Sequence, residues 1–354
     1  MNLEKKTIFS KQIVDNFRSG IDTMIQFKSF FKKYWIIIFF TVLLIFVTIT
    51  TPFFWSKYNL LGFISLILPF LCISISLTIV MLVGEIDLSV GSTMALTSIL
   101  VMVMFYGNFW LWLPEATART VLSSTWDPVM PPLMIIIFIL FIGVLIGCFI
   151  GFLHAYIGLQ GFVASLVMLY LVRGIAMCMS GGKPYHGEFG AGPLEFLSGS
   201  IGKFPIAAIL IVIISLIFYL FLKYHTLGRS IYATGGDPTT AGLMGINVKR
   251  IKVLAYALSG LLAAFAGLWL TGYFGVGDAR SFQGYELYAI GMVVLGGTMF
   301  KGGHGGIINT LGGVMVFSLL ITWLDLLGIE FYTQNMIFGF LIVFILVLNK
   351  YTTR

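Results

Sequence analysis

Charged residues are scarce in this chain: Lys, Arg, Asp and Glu together fill only 10% of its 354 positions, against about 25% in an ordinary soluble domain. With 59% hydrophobic residues and a mean hydropathy of +1.01, no soluble globule could hide so much apolar surface. Cysteine is nearly absent as well. Cys72, Cys148 and Cys178 stand apart inside apolar runs, which excludes a disulfide scaffold and any CxxC metal or redox pair and leaves them as small packing residues. Four histidines, at 154, 186, 225 and 304, are scattered. No HExxH, GxSxG or G-x-x-x-x-G-K-[ST] occurs, so the chain offers no catalytic residues, no metal set and no phosphate loop of its own.

What is present is a succession of apolar runs. Each is about 20 residues long, enough to cross ~30 Å of hydrocarbon. They fall at roughly 35–54, 60–83, 91–107, 133–153, 162–179, 205–222, 252–272, 285–300, 307–324 and 332–349. The fold class read from them is all-α: a polytopic membrane protein of about ten transmembrane helices. It divides into a basic arm, 1–34, and a transmembrane domain, 35–354. The arm repeats Phe9, Ile13, Phe17, Ile21, Met24 and Ile25 at helical spacing among lysines and Arg18, the pattern of an amphipathic helix lying on the cytoplasmic membrane surface, the alternative being a disordered basic tail. About 34 mixed polar residues precede the first run without a small-residue cleavage pattern, so the first helix is expected to be retained.

Net charge is +7, and no basic stripe interleaved with aromatics points to nucleic acid. The cations follow membrane orientation instead. Lys5, Lys6, Lys11, Arg18, Lys28, Lys32, Lys33, Lys223, Arg229, Lys249, Arg250, Lys252, Lys301, Lys350 and Arg354 fall on one side of the runs, and Lys57, Arg119, Lys183, Lys203 and Arg280 on the other. The positive-inside rule therefore expects both termini in the cytoplasm. The longer outer loops would run from Asn108 to Pro132, with Trp110, Trp112 and Trp126 as interfacial anchors, and from Ser180 to Phe204.

The one long inner loop spans 223–252. Gly235 and Gly236 are read as a backbone break, Asp237 as a helix cap, Pro238 as the first helical residue and Gly245 as the stop of a short helix ending near Met244. Such a helix is either a docking knob for another protein or an ordinary capped turn. Glu85 and Asp87 lie between two runs, where burial against lipid would cost about 2.5–3.5 kcal/mol for an Asp at a helix centre. They must sit at an interface or line a protein-walled cavity, and Asp87 or Ser89 can equally cap the following helix. Gly84 and Gly91 would allow a broken helix there, and Gly296, Gly297, Gly302 and Gly303 a second one around Lys301 and His304. Two interrupted segments suggest an internal repeat with a solute path between its halves. Glu286 and Arg173, in or near spans, join Glu85, Asp87 and Ser89 as candidates for that path, and Glu286, just after an outer loop, can equally sit at the interface. Glycines 143, 147 and 151 form a small-residue ridge for close helix packing, within the chain or between copies, as do Ala263 and Gly267.

Three segments, GEIDLSVG (84–91), LGRSIYATGGDPTTAGLMGINV (227–248) and YELYAIGMVVLGGTMFKGGHG (285–305), resemble bacterial ABC-importer permeases of the ribose, galactose and arabinose type, collinearly from about residue 60 onward. The resemblance implies a permease in the bacterial inner membrane that pairs with a second copy or a paralogue. It would receive a sugar from an extracytoplasmic binding protein and be driven by a cytoplasmic ATPase that binds ATP and Mg. This chain would itself hold no cofactor. It also implies that Asp237, Pro238, Thr239, Thr240, Ala241, Gly242, Met244, Gly245 and Ile246 engage that ATPase. Three positions depart from the family pattern: Glu85 stands where a glycine is usual, and Tyr288 and Gly291 interrupt the usual ELDAIA. Other readings are the same machine carrying a branched-chain amino acid or a nucleoside, a self-contained secondary transporter, and, least supported, a membrane enzyme.

Overall fold

The computed structural model describes residues 35–105, 131–186, 199–201 and 204–352. The basic arm and the loop tryptophans at 110, 112 and 126 lie outside the described residues. The helices among the described residues are α1 (Trp35–Thr50), α2 (Lys57–Leu82), α3 (Val90–Phe105), α4 (Pro132–Phe152), α5 (Gly161–Ser180), α6 (Ile206–Tyr224), α7 (Thr226–Gly236), α8 (Pro238–Leu243), α9 (Val248–Phe274), α10 (Tyr285–Leu295), α11 (Ile307–Leu326) and α12 (Phe331–Thr352). Among the described residues six helices are long and apolar enough to cross a membrane, and four shorter apolar ones accompany them. The protein is thus a multi-pass membrane protein, and the ten expected spans each correspond to a helix.

Burial sorts these helices into layers. The most apolar stretch of α2 is 83% buried and that of α9 72%, against 11% for α6. In α3 every residue except Leu100 is buried. So α2, α3 and α9 form the centre, while α4, α5 and α6 turn apolar side chains such as Phe138, Phe141, Val167, Leu216 and Ile217 outward. With hydrocarbon as the solvent that exposure carries no penalty.

The glycine ridge explains the tightest contact. A Cβ on Gly143, Gly147 or Gly151 would come within 2.4 Å of the Gly260 carbonyl oxygen, 2.0 Å of the Tyr256 carbonyl oxygen and 2.6 Å of the Val253 Cα, all on α9. The ridge therefore packs within the chain, with α4 seated backbone to backbone on α9. Gly267 does the same for α3, meeting Thr97 and Met94. At its end α4 widens into a π-turn over Leu153–Ile157, a deviation that re-aims the side chains it carries.

Two expectations change. The tenth helix ends at Leu295 rather than near 300, because Gly297 turns to φ +89°. Gly235 and Gly236 do not break the chain but complete α7, a helix the sequence pattern left hidden. The all-α reading stands, and two minimal antiparallel ladders accompany the helices, β1 (Tyr185–His186) with β4 (Val276–Gly277) and β2 (Ser200–Ile201) with β3 (Phe204–Pro205).

Candidate functional site

The loop joining α6 to α9 is built as the capping residues require. Asp237 is extended (φ −154°, ψ 106°), and its Oδ1 accepts from the Thr239 N–H at 2.9 Å while Oδ2 accepts from the Thr240 hydroxyl at 2.5 Å. Pro238 takes the first helical position, where no N–H is needed. At the far end Gly245 adopts φ +84°, and the Ile246 N–H returns to the Ala241 carbonyl at 3.0 Å, closing the helix. Within the expected coupling set, Ala241 is buried and Ile246 packs on the core. Thr239, Thr240, Gly242, Met244 and Gly245 stay exposed. Leu243, at 85% exposure beside Met244 at 79%, completes an apolar tip. The sequence reading passed over Leu243, although it is one of the few large apolar residues in that loop.

Immediately before α8, three distant segments touch through their backbones. A Cβ on Gly235 would lie 1.7 Å from the Leu82 carbonyl oxygen and 2.7 Å from the Gly303 nitrogen. One on Gly302 would lie 2.6 Å from the Gly235 carbonyl oxygen and 2.9 Å from the Gly84 nitrogen. The Gly303 N–H donates to the Leu82 carbonyl at 2.9 Å. Both interrupted segments thus meet each other and the root of α8. Gly84, Gly297, Gly302 and Gly303 have positive φ and do turn the chain. Gly91 and Gly296 are corrections: Gly91 lies inside α3 and Gly296 keeps right-handed helical angles. Both are glycine for closeness, to Glu286 and to the Asn309 carbonyl respectively. Lys301 and His304 are exposed on the second turn.

Residues 85–87 are held by one face of α9. Lys252 Nζ donates to Glu85 Oε1 at 2.7 Å, the Tyr256 hydroxyl to the Ile86 carbonyl at 3.2 Å, and the Ser259 hydroxyl to Asp87 Oδ2 at 2.6 Å. Positions 252, 256 and 259 are one helical stripe. His154, carried by the π-turn, brings Nε2 to 2.8 Å from Glu85 Oε1 and 2.9 Å from Lys252 Nζ. Its Nδ1 stands 2.7 Å from the Leu159 carbonyl. A carbonyl only accepts, so Nδ1 carries a proton. Asp87, 1% exposed, also accepts from the Ser89 N–H at 2.8 Å and the Ser89 hydroxyl at 2.6 Å. Its two oxygens are met by three donors, as a buried polar group demands.

Of the expected path residues, Asp87, Ser89 and Glu286 converge on the first turn of α3, where the helix dipole favours negative charge. Glu286 Oε1 accepts from the Gly284 N–H at 3.2 Å. Its Oε2, next to Gly91, has no hydrogen-bond partner among the described residues. Glu85 faces away from that turn, toward Lys252. Arg173 donates to the Ala279 and Ser281 carbonyls, each at 3.0 Å, and so ties α5 to the loop before α10. The two departures in α10 are packing features. Tyr288 is buried against Phe70, Tyr285, Phe317 and Phe338, and its hydroxyl donates to Asn335. Gly291 lets Ile342 approach.

Residues 59–346 match the family described as branched-chain amino acid transport system / permease component. The chain belongs to this permease family. It is 34% identical over 310 residues to the ribose import permease protein of Haemophilus influenzae, covering 87% of this chain and 89% of the relative. The ribose import permease protein of Escherichia coli K12 is 32% identical over 332 residues, 91% and 97% of the two chains. The D-allose transport system permease protein of the same organism is 29% identical over 273 residues, 77% of each. No solved structure matches. Membership makes this chain the permease subunit of an ABC importer rather than an enzyme. In this permease the residues that sequence reasoning missed are Lys252, His154, Tyr256 and Ser259, while Gly235, read as a break, serves close approach instead. Only the 252/256/259 spacing carried a signal, and it needed a partner segment to acquire meaning.

Proposed function

We propose that this permease forms the membrane path of an ATP-driven importer in the bacterial inner membrane. It takes a sugar from an extracytoplasmic binding protein and works beside a second permease copy. The names of its relatives, which speak of ribose and D-allose and of fructose, support a monosaccharide cargo. The single observation that carries the mechanism is α8: a capped, two-ended rigid knob with an exposed apolar tip, seated on the junction of both helix interruptions. Residues 237–246 would dock on a cytoplasmic ATPase that holds ATP and Mg. Closure of that ATPase moves the knob, and the helices around α3 expose the path first to one side and then to the other. Both termini then lie in the cytoplasm, the orientation that the lysine and arginine distribution favours. Glu85 and Asp87 are engaged by internal donors, which favours this reading over a carrier that uses them to bind a coupling ion.

The family's own description favours a second cargo, a branched-chain amino acid. Proteoliposomes holding the permease with the ATPase and binding protein encoded beside it decide among these. ATP-dependent uptake of ribose, allose or fructose is the expected result. Uptake of leucine instead would replace the cargo, and uptake by the permease alone on a sodium or proton gradient would overturn the importer.

A further inference from the structure

The turn between α2 and α3 is gripped from both ends of α8. On the side that precedes α8, Gly235 lies against the Leu82 carbonyl and Gly302 against Gly84. On the side that follows it, residues 244–247 lead directly into α9, whose first turns hold Glu85, Ile86 and Asp87 through Lys252, Tyr256 and Ser259. The first grip is backbone packing and cannot be tuned. In the second, the Tyr256 and Ser259 contacts are neutral donors, and only the Lys252–Glu85 contact is an ion pair. Side-chain exposure of 18% for Lys252, 17% for Glu85 and 11% for His154 keeps that pair largely out of water. The other carboxylate oxygen of Glu85 is fitted to Gly161, where any Cβ would stand 2.4 Å from it. Four elements, α2, the π-turn, α5 and α9, have thus been shaped around one carboxylate.

Building on the importer reading, we propose that Glu85 is a positioning residue for transport: paired with Lys252, whose Nζ also meets His154 Nε2, it locks the α2–α3 turn to the leading end of α9, so that movement of α8 reaches the first turn of α3. It touches no solute. Its work is to keep 85–87 and α9 moving as one body, and without it the ATPase turns over while the path fails to follow.

The test uses the assembled importer with the variants Glu85→Gln, Lys252→Met, the double variant and Lys252→Arg. ATP hydrolysis without solute, stimulation by solute-loaded binding protein, uptake, and thermal unfolding in detergent are followed together. The expected result is unstimulated hydrolysis within twofold of wild type in all four. Uptake and stimulation should fall at least tenfold in Glu85→Gln and in Lys252→Met, and no further in the double variant, because the two act as a unit. Lys252→Arg should keep both within threefold. The double variant removes both charges of the Lys252–Glu85 pair together, so an unpaired lysine or carboxylate is not the source of its loss, and thermal unfolding reports its folding separately. If it stays coupled, or if its uptake falls only in step with lost assembly, the proposal is overturned. A wild-type complex without ATP-dependent uptake would instead sink the importer reading itself.

Discussion

A single methyl group separates the observed junction from a forbidden one. At Gly235 a Cβ would overlap the Leu82 carbonyl at 1.7 Å, and backbone on both sides leaves nothing flexible to yield. Gly235→Ala should therefore destabilise the permease by about 1–3 kcal/mol, the usual cost of overpacking, and abolish solute-stimulated hydrolysis. Gly62, with nothing within 4 Å of its Cβ position in α2, provides the control, since Gly62→Ala should leave the melting temperature in detergent unchanged or higher. The contrast also marks what residue types alone reveal. Glycine density announced unusual backbone around 84 and 297–303 and was right to do so. It could not separate a glycine needed for positive φ, such as Gly84, from one needed for close approach, such as Gly235, because the neighbour that forbids the side chain comes from far along the chain. The same holds for charge: Glu85 and Asp87 were legible as acids that must avoid lipid, whereas their donors Lys252 and Ser259 became visible only once α9 was packed beside them.

Elements were read more securely than residues. Hydrophobic run length fixed the ten apolar helices because in a bilayer every backbone donor must be satisfied within its own helix, so length and polarity decide almost everything. Capping chemistry placed α8 with equal success, since Asp237, Pro238 and Gly245 are each specific to one position. Helix α7 escaped because its glycines look like punctuation, and tertiary packing overrides that signal. The cap has a pH signature. Donation from the Thr240 hydroxyl and the Thr239 N–H holds the Asp237 carboxyl below the usual carboxylate range. Its contribution is then complete above the unfolded value, about 3.9, and is lost only as pH falls through the lower native one. Between pH 8 and 5, retention of the ATPase on immobilised permease should show no titration from this residue. Asp237→Asn, which keeps an acceptor, should retain the ATPase, and Asp237→Ala should lose it at every pH in that range. A titration near neutrality that vanishes in Asp237→Asn would contradict this account of the cap.

Across the whole molecule, the junction imposes an order on biosynthesis. The junction at the root of α8 is assembled from Leu82–Gly84, Gly235–Gly236 and Gly302–Gly303, so a ribosome that has already added Leu243, the end of the knob, must still add about 60 residues before its support is whole. Domains of this size fold largely as they emerge, and an apolar tip presented early would invite the motor to bind an unfinished pore. Because the last segment of the support arrives late, the importer reading expects recruitment of the ATPase to wait for a nearly finished subunit. Membrane-inserted nascent chains stalled after residue 295 should leave the ATPase in the supernatant, whereas chains stalled after the end of α11, with enough further residues to clear the exit tunnel, should hold it. Capture by the shorter chains would mean that the newborn knob needs no foundation.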